Sequence, residues 1–430
     1  MTSSRFATPG FALFALFFAS VLAFLDRQLL NILIRPIRAD VGISDVQFSL
    51  LQGAAFALVY SLAAFPMAYV ADRFGRKQVL LASIIVWSAM TVLFGMASSF
   101  AWLLTARVGL AIGEAGLSPA AISIVRQIYP QERQSFAVAI LTISVYVGGG
   151  ISMTIGGPAL AALESHAADL RLELAPWRLL FVACAALGLF GVLLLALMPE
   201  PRQAERTVAA NSSAEFFRLL RLQRTSVIAY LTAFVGLNAL AYAVMAWTPA
   251  MFMRTHGWTE RQIGLAYGLT FIAGGIVGAL GSGRLVGQLL QRGSAHATVK
   301  VIRIAALLLG AATLLSASAP DATISLACTA VGMVAMGALI ALGAFGFQAL
   351  FPKPFSARAV AVYFLVPGTL GASLGPSAIP LLQRALGPGE NLGSALGVFA
   401  AALSLWAAFW LGRLLRALPI DTAAAANDLA

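Results

Sequence analysis

Apolar segments of about 20 residues recur along the whole chain, and this recurrence limits the possible folds more than any other feature. A segment of that length crosses a bilayer as an α-helix, because a helix satisfies its own backbone hydrogen bonds. The composition agrees, since 60% of the 430 residues are hydrophobic and only 10% are charged. We expect an all-α membrane protein with twelve transmembrane helices, at 10–36, 47–70, 78–98, 101–125, 134–162, 177–198, 225–251, 262–287, 299–318, 323–350, 359–384 and 393–417.

The net charge of +11 is spread over short loops rather than clustered on a domain. A nucleic-acid-binding domain would gather its basic residues on one face, so we expect no nucleic-acid partner. If the N-terminus starts in the cytoplasm, most of the 28 lysines and arginines fall in cytoplasmic segments. The positive-inside rule therefore predicts a multi-pass protein of the plasma membrane (the inner membrane of a bacterium) with both termini in the cytoplasm.

The chain contains an internal repeat. A shift of 215 residues aligns GISDVQFSLLQGAAF, from Gly42, with GWTERQIGLAYGLTF, from Gly257, without a gap. We therefore expect two pseudo-symmetric six-helix halves, residues 1–198 and 225–430. The polar interval 199–224 contains AEFFRLLRLQR, whose apolar and basic faces predict an interfacial amphipathic helix in a cytoplasmic linker.

Four charged residues lie well inside predicted spans: Asp26 and Arg27 in the first, and Arg107 and Glu114 in the fourth. A charge in hydrocarbon costs at least ~2.5–3.5 kcal/mol, so each of them needs a partner or water. Asp26 and Glu114 lie ~16 and ~19 Å from the outer ends of their helices, near one level. Protonation of one carboxylate would free an arginine to bind an anionic headgroup, which makes Asp26 and Glu114 the predicted proton-coupling pair. The alternative is a static ion-pair network.

The two arginines are the matching substrate-binding candidates. Arg107 lies seven residues before Glu114 and so shares its helix face. Arg27 points about 100° away from Asp26 and faces either the cavity or a neighbouring helix. The three histidines lie in loops or at span ends, which leaves the carboxylates to carry any proton coupling.

The second half offers uncharged candidates for substrate binding. Asn238 and Tyr242 lie one turn apart, and Gln348 and Tyr363 lie in later spans. Isolated polar residues in spans more often hydrogen-bond between helices than bind a ligand, so both interpretations stay open. An apolar wall opposite a charged wall suits an amphipathic molecule with a small polar head, and equally an aromatic acid.

The loop between the second and third spans reads AYVADRFGRK. Gly75 permits a tight turn, and the basic residues favour the cytoplasmic side. The predicted conformational gate consists of Asp72, Arg73, Gly75, Arg76 and Lys77. The loop resembles the major facilitator superfamily motif Gly-x-Leu-Ala-Asp-Arg-x-Gly-Arg-Lys, with Ala68 and Val70 in place of the first glycine and the leucine. This resemblance implies two six-helix halves that rock around a central site.

Two longer fragments resemble the Spinster-like branch of that superfamily. They are LDRQLLNILIRPIRADVGISDVQFSLLQ, which begins in the first span, and ARVGLAIGEAGLSPAA in the fourth span, followed by YPQERQ. Better-known members of the branch export lysophospholipids or sphingosine phosphate. Asp26 and Arg27 match the Asp-Arg pair of its first helix, and Arg107 and Glu114 match the Arg and Glu of its fourth. The resemblance implies that these four residues bind headgroups and couple protons.

We therefore expect a proton-coupled secondary active transporter that moves a lysophospholipid- or sphingolipid-like substrate by alternating access. We expect it to act as a monomer in the lipid bilayer, without a metal or other cofactor. A transporter of a small organic anion or drug on the same scaffold is the main alternative, and a non-transporting membrane sensor is another. An enzyme is the weakest alternative, because the sequence shows no catalytic cluster.

Overall fold

The computed structural model describes residues 8–166, 174–198, 213–387 and 391–418. In these ranges the chain is helical and has no β-strand. Twelve stretches are helices long and apolar enough to cross a membrane, which confirms the predicted fold class. The α-helices are α1 (Pro9–Ile32), α2 (Ile34–Val41), α3 (Asp45–Gln52), α4 (Ala54–Phe74), α5 (Arg76–Gly95), α6 (Phe100–Glu114), α7 (Leu117–Ile128), α8 (Gln131–Ser165), α9 (Pro176–Leu197), α10 (Ser213–Leu222), α11 (Arg224–Thr255), α12 (Glu260–Gln291), α13 (Ala297–Ser318), α14 (Ala322–Gln348), α15 (Ser356–Tyr363), α16 (Thr369–Leu386) and α17 (Leu392–Ala417).

Several predicted spans are interrupted where the sequence disfavours a continuous helix. The second span bends at Gly53, whose ψ of −94° is far from the helical value. The fourth is divided into α6 and α7 after Glu114, because Pro119 has no backbone N–H to donate to the Ala115 carbonyl. The eleventh contains a π-helical turn, Phe364–Gly368. Pro367 accounts for this turn, since its ring would clash with the carbonyl four residues earlier in a regular helix.

The helices form two compact units. The first contains α1 to α9 together with the segment Ala246–Ile272, which covers the end of α11 and the start of α12. Within it, α1 packs along α8, and α5 packs against α6 and α9. The second unit contains α10, the remainder of α11 and α12, and α13 to α17, with α13 packed against α14 and α17. The predicted halves, which rest on the sequence repeat, stay a prediction.

The repeated segment begins a helix in the same way in both copies. At the start of α3, the Ser44 hydroxyl accepts from the Gln47 N–H at 3.2 Å, and the Gln47 side chain accepts from the Ser44 N–H at 2.9 Å. Thr259 and Gln262 make the equivalent bonds at the start of α12, at 3.3 and 2.9 Å. These reciprocal caps satisfy backbone donors at each helix start. The alignment therefore reflects one structural element present twice.

The acidic residues that follow these caps pair with arginines across the first unit. Arg254 donates to both carboxylate oxygens of Asp45, at 2.8 Å each, and Arg38 contacts the same carboxylate at 2.9 Å. Arg35 makes a two-point contact with Glu260, at 2.7 and 2.8 Å. The side chains of Arg38, Asp45 and Arg254 are 20–36% exposed, so each of these pairs contributes about 1 kcal/mol or less to stability, whereas Glu260 is largely buried beneath Arg35.

Helix α8 and the start of α12 approach each other at glycines. A Cβ atom on Gly264 would lie 2.5 Å from the Met153 carbonyl oxygen, and one on Gly157 would lie 2.1 Å from the Glu260 carbonyl oxygen. Both distances are far below van der Waals contact, so a larger residue would push the backbones apart. Small residues allow this close helix packing.

The linker region is described from Ser213 onward, and residues 199–212 lie outside the described ranges. Helix α10 has one buried and one exposed face. Phe216 is buried against the rings of Phe351 and Phe355, at centroid distances of 5.6 and 5.9 Å, whereas Phe217 and Leu222 are exposed. One face of α10 is thus attached to the second unit, and the other carries exposed apolar and basic groups suited to a membrane interface.

Candidate functional site

Helices α1 and α6 bring Arg27 and Glu114 together, although they lie 87 positions apart in the sequence. Arg27 donates its Nε hydrogen to Glu114 Oε2 over 2.7 Å, and Arg27 Nη2 contacts the same oxygen. The Glu114 side chain is fully buried, whereas 18% of the Arg27 side chain is exposed. Glu114 Oε1 is also buried and has no hydrogen-bond partner among the described residues. Because the two charges compensate each other, removal of either one would leave an unpaired charge in a buried position.

Three aromatic rings surround the Arg27 guanidinium. Its Cζ atom lies 5.0 Å from the ring centroid of Phe24, 4.3 Å from that of Phe56 and 5.0 Å from that of Tyr60. Phe56 and Tyr60 lie one turn apart on α4 and are stacked, with centroids 5.6 Å apart. Cations are attracted to the faces of such rings, so the aromatic groups hold the guanidinium in place beside Glu114.

Arg107 is buried on α6 and has no carboxylate partner within the described part of the chain. Its Nε donates to the Leu51 carbonyl oxygen at 2.9 Å, and its Nη2 donates to the Gln52 side-chain oxygen at 3.3 Å. Both acceptors lie just before the bend at Gly53. The guanidinium also lies over the Phe56 ring, 4.9 Å from its centroid. A buried guanidinium that is bonded only to neutral oxygens retains its charge for an incoming anion.

Asp26 is buried on α1 and contacts neutral groups. Thr91, on α5, donates its hydroxyl hydrogen to Asp26 Oδ2 over 2.7 Å. The Cys184 thiol, on α9, lies beside the same carboxyl group, but Oδ1 has no hydrogen bond of ordinary geometry. Glu114 and Arg107 are close enough to act on Asp26 electrostatically. The two buried carboxylates therefore differ, since Glu114 has an ionic partner and Asp26 has a hydroxyl partner.

In the second unit, α11 and α15 place Asn238 next to Tyr363. The Asn238 side chain hydrogen-bonds to the Tyr363 hydroxyl and donates to the Phe234 carbonyl at 2.9 Å. Tyr363 also packs edge-on against Phe234, at 5.3 Å between centroids, and Tyr242 lies near it. Tyr363 directly precedes the π-helical turn, and such turns are frequent at functional sites.

Gln348, the last residue of α14, is half-buried, and its side chain makes no hydrogen bond in the described ranges.

The predicted gate loop joins α4 to α5. Gly75 has a φ of 97°, a region that favours glycine. The Lys77 ammonium donates to the carbonyl oxygens of Ala196 at 2.9 Å and Met198 at 2.6 Å, at the C-terminal end of α9. A cation at this position interacts favourably with the helix dipole. The side chain of Asp72 lies outside the described part of the structure.

Sequence reasoning missed several residues of the first-unit cluster, among them Gln52, Phe56, Tyr60 and Thr91. Thr91 has a weak signal, as a hydroxyl in an otherwise apolar stretch of the third span. Phe56 and Tyr60 share a helix face, but the chain contains 27 phenylalanines and this spacing recurs by chance. Their proximity to the arginines depends on how α4 packs beside α1 and α6.

Comparison with known proteins identifies the family. A family model described as Major Facilitator Superfamily matches residues 16–376. The chain belongs to the major facilitator superfamily. This membership shows that it is an integral membrane transporter rather than an enzyme, as the sequence predicts.

Within the major facilitator superfamily, the chain is similar to Spinster proteins. The crystal structure of a bacterial homologue of the human lysosomal transporter Spinster, in an inward-facing and unoccupied conformation, matches 96% of each chain with 26% identity and a TM-score of 0.77. An MFS-type efflux pump from Mycolicibacterium smegmatis is 29% identical over 398 residues, 91% of this chain and 89% of the pump. A probable L-galactonate transporter from Escherichia coli is 25% identical over 342 residues, 76% of this chain and 71% of that protein. The predicted Spinster-like resemblance is confirmed.

Proposed function

We propose that this major facilitator transporter is proton-coupled and moves an anionic, amphipathic molecule of the lysophospholipid or sphingolipid type. The observation that carries the proposal is the buried Arg107 guanidinium, whose acceptors among the described residues are all neutral, while the neighbouring Arg27 is neutralised by Glu114. An anionic headgroup would bind Arg107 first. The sequence fragments that resemble the Spinster-like branch, whose better-known members export lysophospholipids or sphingosine phosphate, favour a lipid-like body for this substrate.

Charge balance supports the coupling to protons. Asp26, Glu114, Arg27 and Arg107 have no net charge when all four are ionised. One proton on Glu114 would leave one unpaired positive charge on Arg27, and one anionic headgroup would neutralise it. A proton and a substrate anion would thus favour each other's binding, as a coupled transporter requires. Loss of the proton would let Glu114 reclaim Arg27 and expel the headgroup.

A small organic acid is the second candidate substrate, and the names of several similar proteins favour it. The similar protein from Escherichia coli is named a probable L-galactonate transporter. Two guanidinium groups in one site would bind a carboxylate as readily as a phosphate. The lysolipid and the organic acid differ in their apolar part, so a direct transport assay distinguishes them.

The test is proton movement in proteoliposomes that contain a pH-sensitive dye. A lysophospholipid, an aromatic acid and L-galactonate are each added to the parent protein, Glu114→Gln and Asp26→Asn. We expect proton flux with the lysophospholipid in the parent and a loss of at least tenfold in both variants. Glu215→Gln is the matched control, because Glu215 is an exposed carboxylate on α10 outside the spans, and it should retain the flux.

Two results would contradict the proposal. Flux only with L-galactonate or the aromatic acid would assign a small organic acid as the substrate. Lysolipid uptake without proton movement would remove the coupling.

We also propose a monomer with both termini in the cytoplasm. Mass photometry would test the monomer, and accessibility of a terminal tag in right-side-out vesicles would test the orientation.

A further inference from the structure

The hydroxyl group of Thr91 has two acceptors within reach but only one hydrogen to donate. Its Oγ1 lies 2.7 Å from Asp26 Oδ2 and 3.0 Å from the carbonyl oxygen of Trp87, one turn earlier on α5. Thr91 is fully buried, and Asp26 is 5% exposed. A hydroxyl group can also accept a hydrogen bond while it donates one, so Thr91 can interact with Asp26 in either protonation state.

We propose that Thr91 is a positioning residue that lets Asp26 gain and lose a proton without leaving a buried hydrogen-bonding group unpaired. In the carboxylate state, Thr91 donates to Oδ2. When Oδ2 takes up a proton, the new O–H donates to Thr91 Oγ1, and the Thr91 hydrogen rotates to the Trp87 carbonyl oxygen. Only hydrogens change position, and the one proton taken up is held between Asp26 and Thr91.

The geometry assigns the proton to Oδ2 rather than to Oδ1. Oδ1 is buried and has no hydrogen-bond partner within the described part of the chain, so an O–H at Oδ1 would have no acceptor of ordinary geometry. A buried donor without an acceptor is unfavourable, so the proton resides where Thr91 can receive its hydrogen bond.

The groups that face Asp26 from neighbouring helices are few. Thr91 comes from α5, Cys184 from α9, and Glu114 and Arg107 act at longer range from α6. Helix α8, which packs along α1, contributes no titratable group to this site among the described residues. The two charged groups on α6 have opposite signs, and the Cys184 thiol is a weak donor and acceptor. Among the described residues, the Thr91 hydroxyl is therefore the strong hydrogen-bonding partner that can adapt to both states.

This assignment rests on the proposed proton coupling but is tested without substrate or transport. Infrared difference spectra of purified protein, recorded against pH, detect the carbonyl stretch of a protonated carboxyl group. Asp26→Asn identifies the Asp26 band by its loss. Thr91→Val removes the hydroxyl at nearly constant volume, and Thr91→Ser keeps it. Thr270→Val is the matched control, because the Thr270 hydroxyl donates to the Ala266 carbonyl at 2.6 Å, one turn earlier, and contacts no carboxylate.

We expect the Asp26 band in Thr91→Val to move to higher frequency and to persist to a pH about one unit higher than in the parent. The reason is that the carboxylate loses a stronger hydrogen bond than the protonated acid does. Thr91→Ser and Thr270→Val should match the parent. An unchanged band and midpoint in Thr91→Val would overturn the role of Thr91 even if proton-coupled transport were found. Absence of an Asp26 band at every pH in the parent would overturn it too. Failure of the proteoliposome assay alone would leave the spectra to decide.

Discussion

Asp45 and Glu260 occupy equivalent positions in the two sequence repeats, and each binds an arginine that lies just before the other repeat. Arg254 lies just before the second copy and holds Asp45, whereas Arg35 lies just before the first copy and holds Glu260. The two contacts are reciprocal, although the arginines are not at equivalent positions, since the shift of 215 residues places Arg35 over Ala250 rather than over Arg254. A transporter that alternates between states needs contacts that break at low cost, and partly exposed ion pairs meet that need.

The double variant Asp45→Asn/Glu260→Gln should loosen the packing of α12 against α8. The reporter is Ser152→Cys, a buried and nearly isosteric position on α8, in a background with Cys184→Ala and Cys328→Ala. We expect a membrane-impermeant maleimide to label it several-fold faster in the double variant. Asp40→Asn is the control, since Asp40 pairs with Arg178 on α9 and not with a residue of α11 or α12 in the described ranges. Equal labelling rates in the parent, the double variant and the control would show that the two ion pairs do not restrain the packing of α12 against α8.

Phe56 should set substrate affinity through the two guanidinium groups that lie over its ring. Phe56→Leu keeps an apolar side chain but removes the π-face, which is worth about 1 kcal/mol, so KM should rise about fivefold. Phe56→Tyr keeps the ring and should stay near the parent value. Phe94→Leu is the control, because Phe94 is buried against Phe181, at 4.7 Å between centroids. Similar changes in KM for Phe56→Leu and Phe94→Leu would point to packing alone.

Gln52→Glu should convert Arg107 into a second neutralised arginine. Its carboxylate would accept from Nη2 where the amide oxygen now accepts at 3.3 Å, and would compete with an anionic substrate. We expect KM to rise at least tenfold at neutral pH and to recover as the pH is lowered and the new carboxyl group is protonated. Gln52→Leu is the comparison and should keep a KM within a few-fold of the parent. A Gln52→Glu protein with unchanged KM would place the substrate away from Arg107.

Arg107→Lys should reduce transport despite its conserved charge. Lysine has no Nε–H in the guanidinium plane, so it cannot donate to Leu51 and Gln52 together in the present geometry. We expect kcat/KM to fall at least tenfold while the protein still elutes as a single folded species. Full activity would mean that a point charge at this position is sufficient.

Lys77→Met should destabilise the connection between the α4–α5 loop and the end of α9. The ammonium group satisfies two terminal carbonyl oxygens, an interaction worth about 1 kcal/mol. Thermal unfolding in detergent should therefore shift down by about 2 °C. Lys300→Met is the control, because Lys300 donates to the exposed Ser294 hydroxyl and to no helix end. Equal Tm values for the two variants would remove this role of Lys77.

The interruptions of the spans were within reach of sequence analysis, but their consequences were not. Pro119 and Pro367 predict a weak point in any helix, because neither can donate a backbone hydrogen bond. Neither residue indicates that a buried glutamate ends α6 just before one interruption, or that Tyr363 lies beside the other. The bend at Gly53 was harder to predict from sequence, because glycine is frequent in transmembrane helices.

The sequence by itself determined the membrane fold, the repeat and the four charged residues of the first half. These follow from local properties: hydropathy along the chain, the cost of a charge in hydrocarbon, and motif spacing. Only the tertiary structure decided the partners, placing Arg27 on Glu114, Asp26 on Thr91 and Arg107 on neutral oxygens. Which side chains pair depends on how each helix is rotated about its axis and on where it bends. Successive residues of a helix point about 100° apart, so a rotation of that size changes which side chains meet. Such angles are set by packing between distant segments, which no local pattern records.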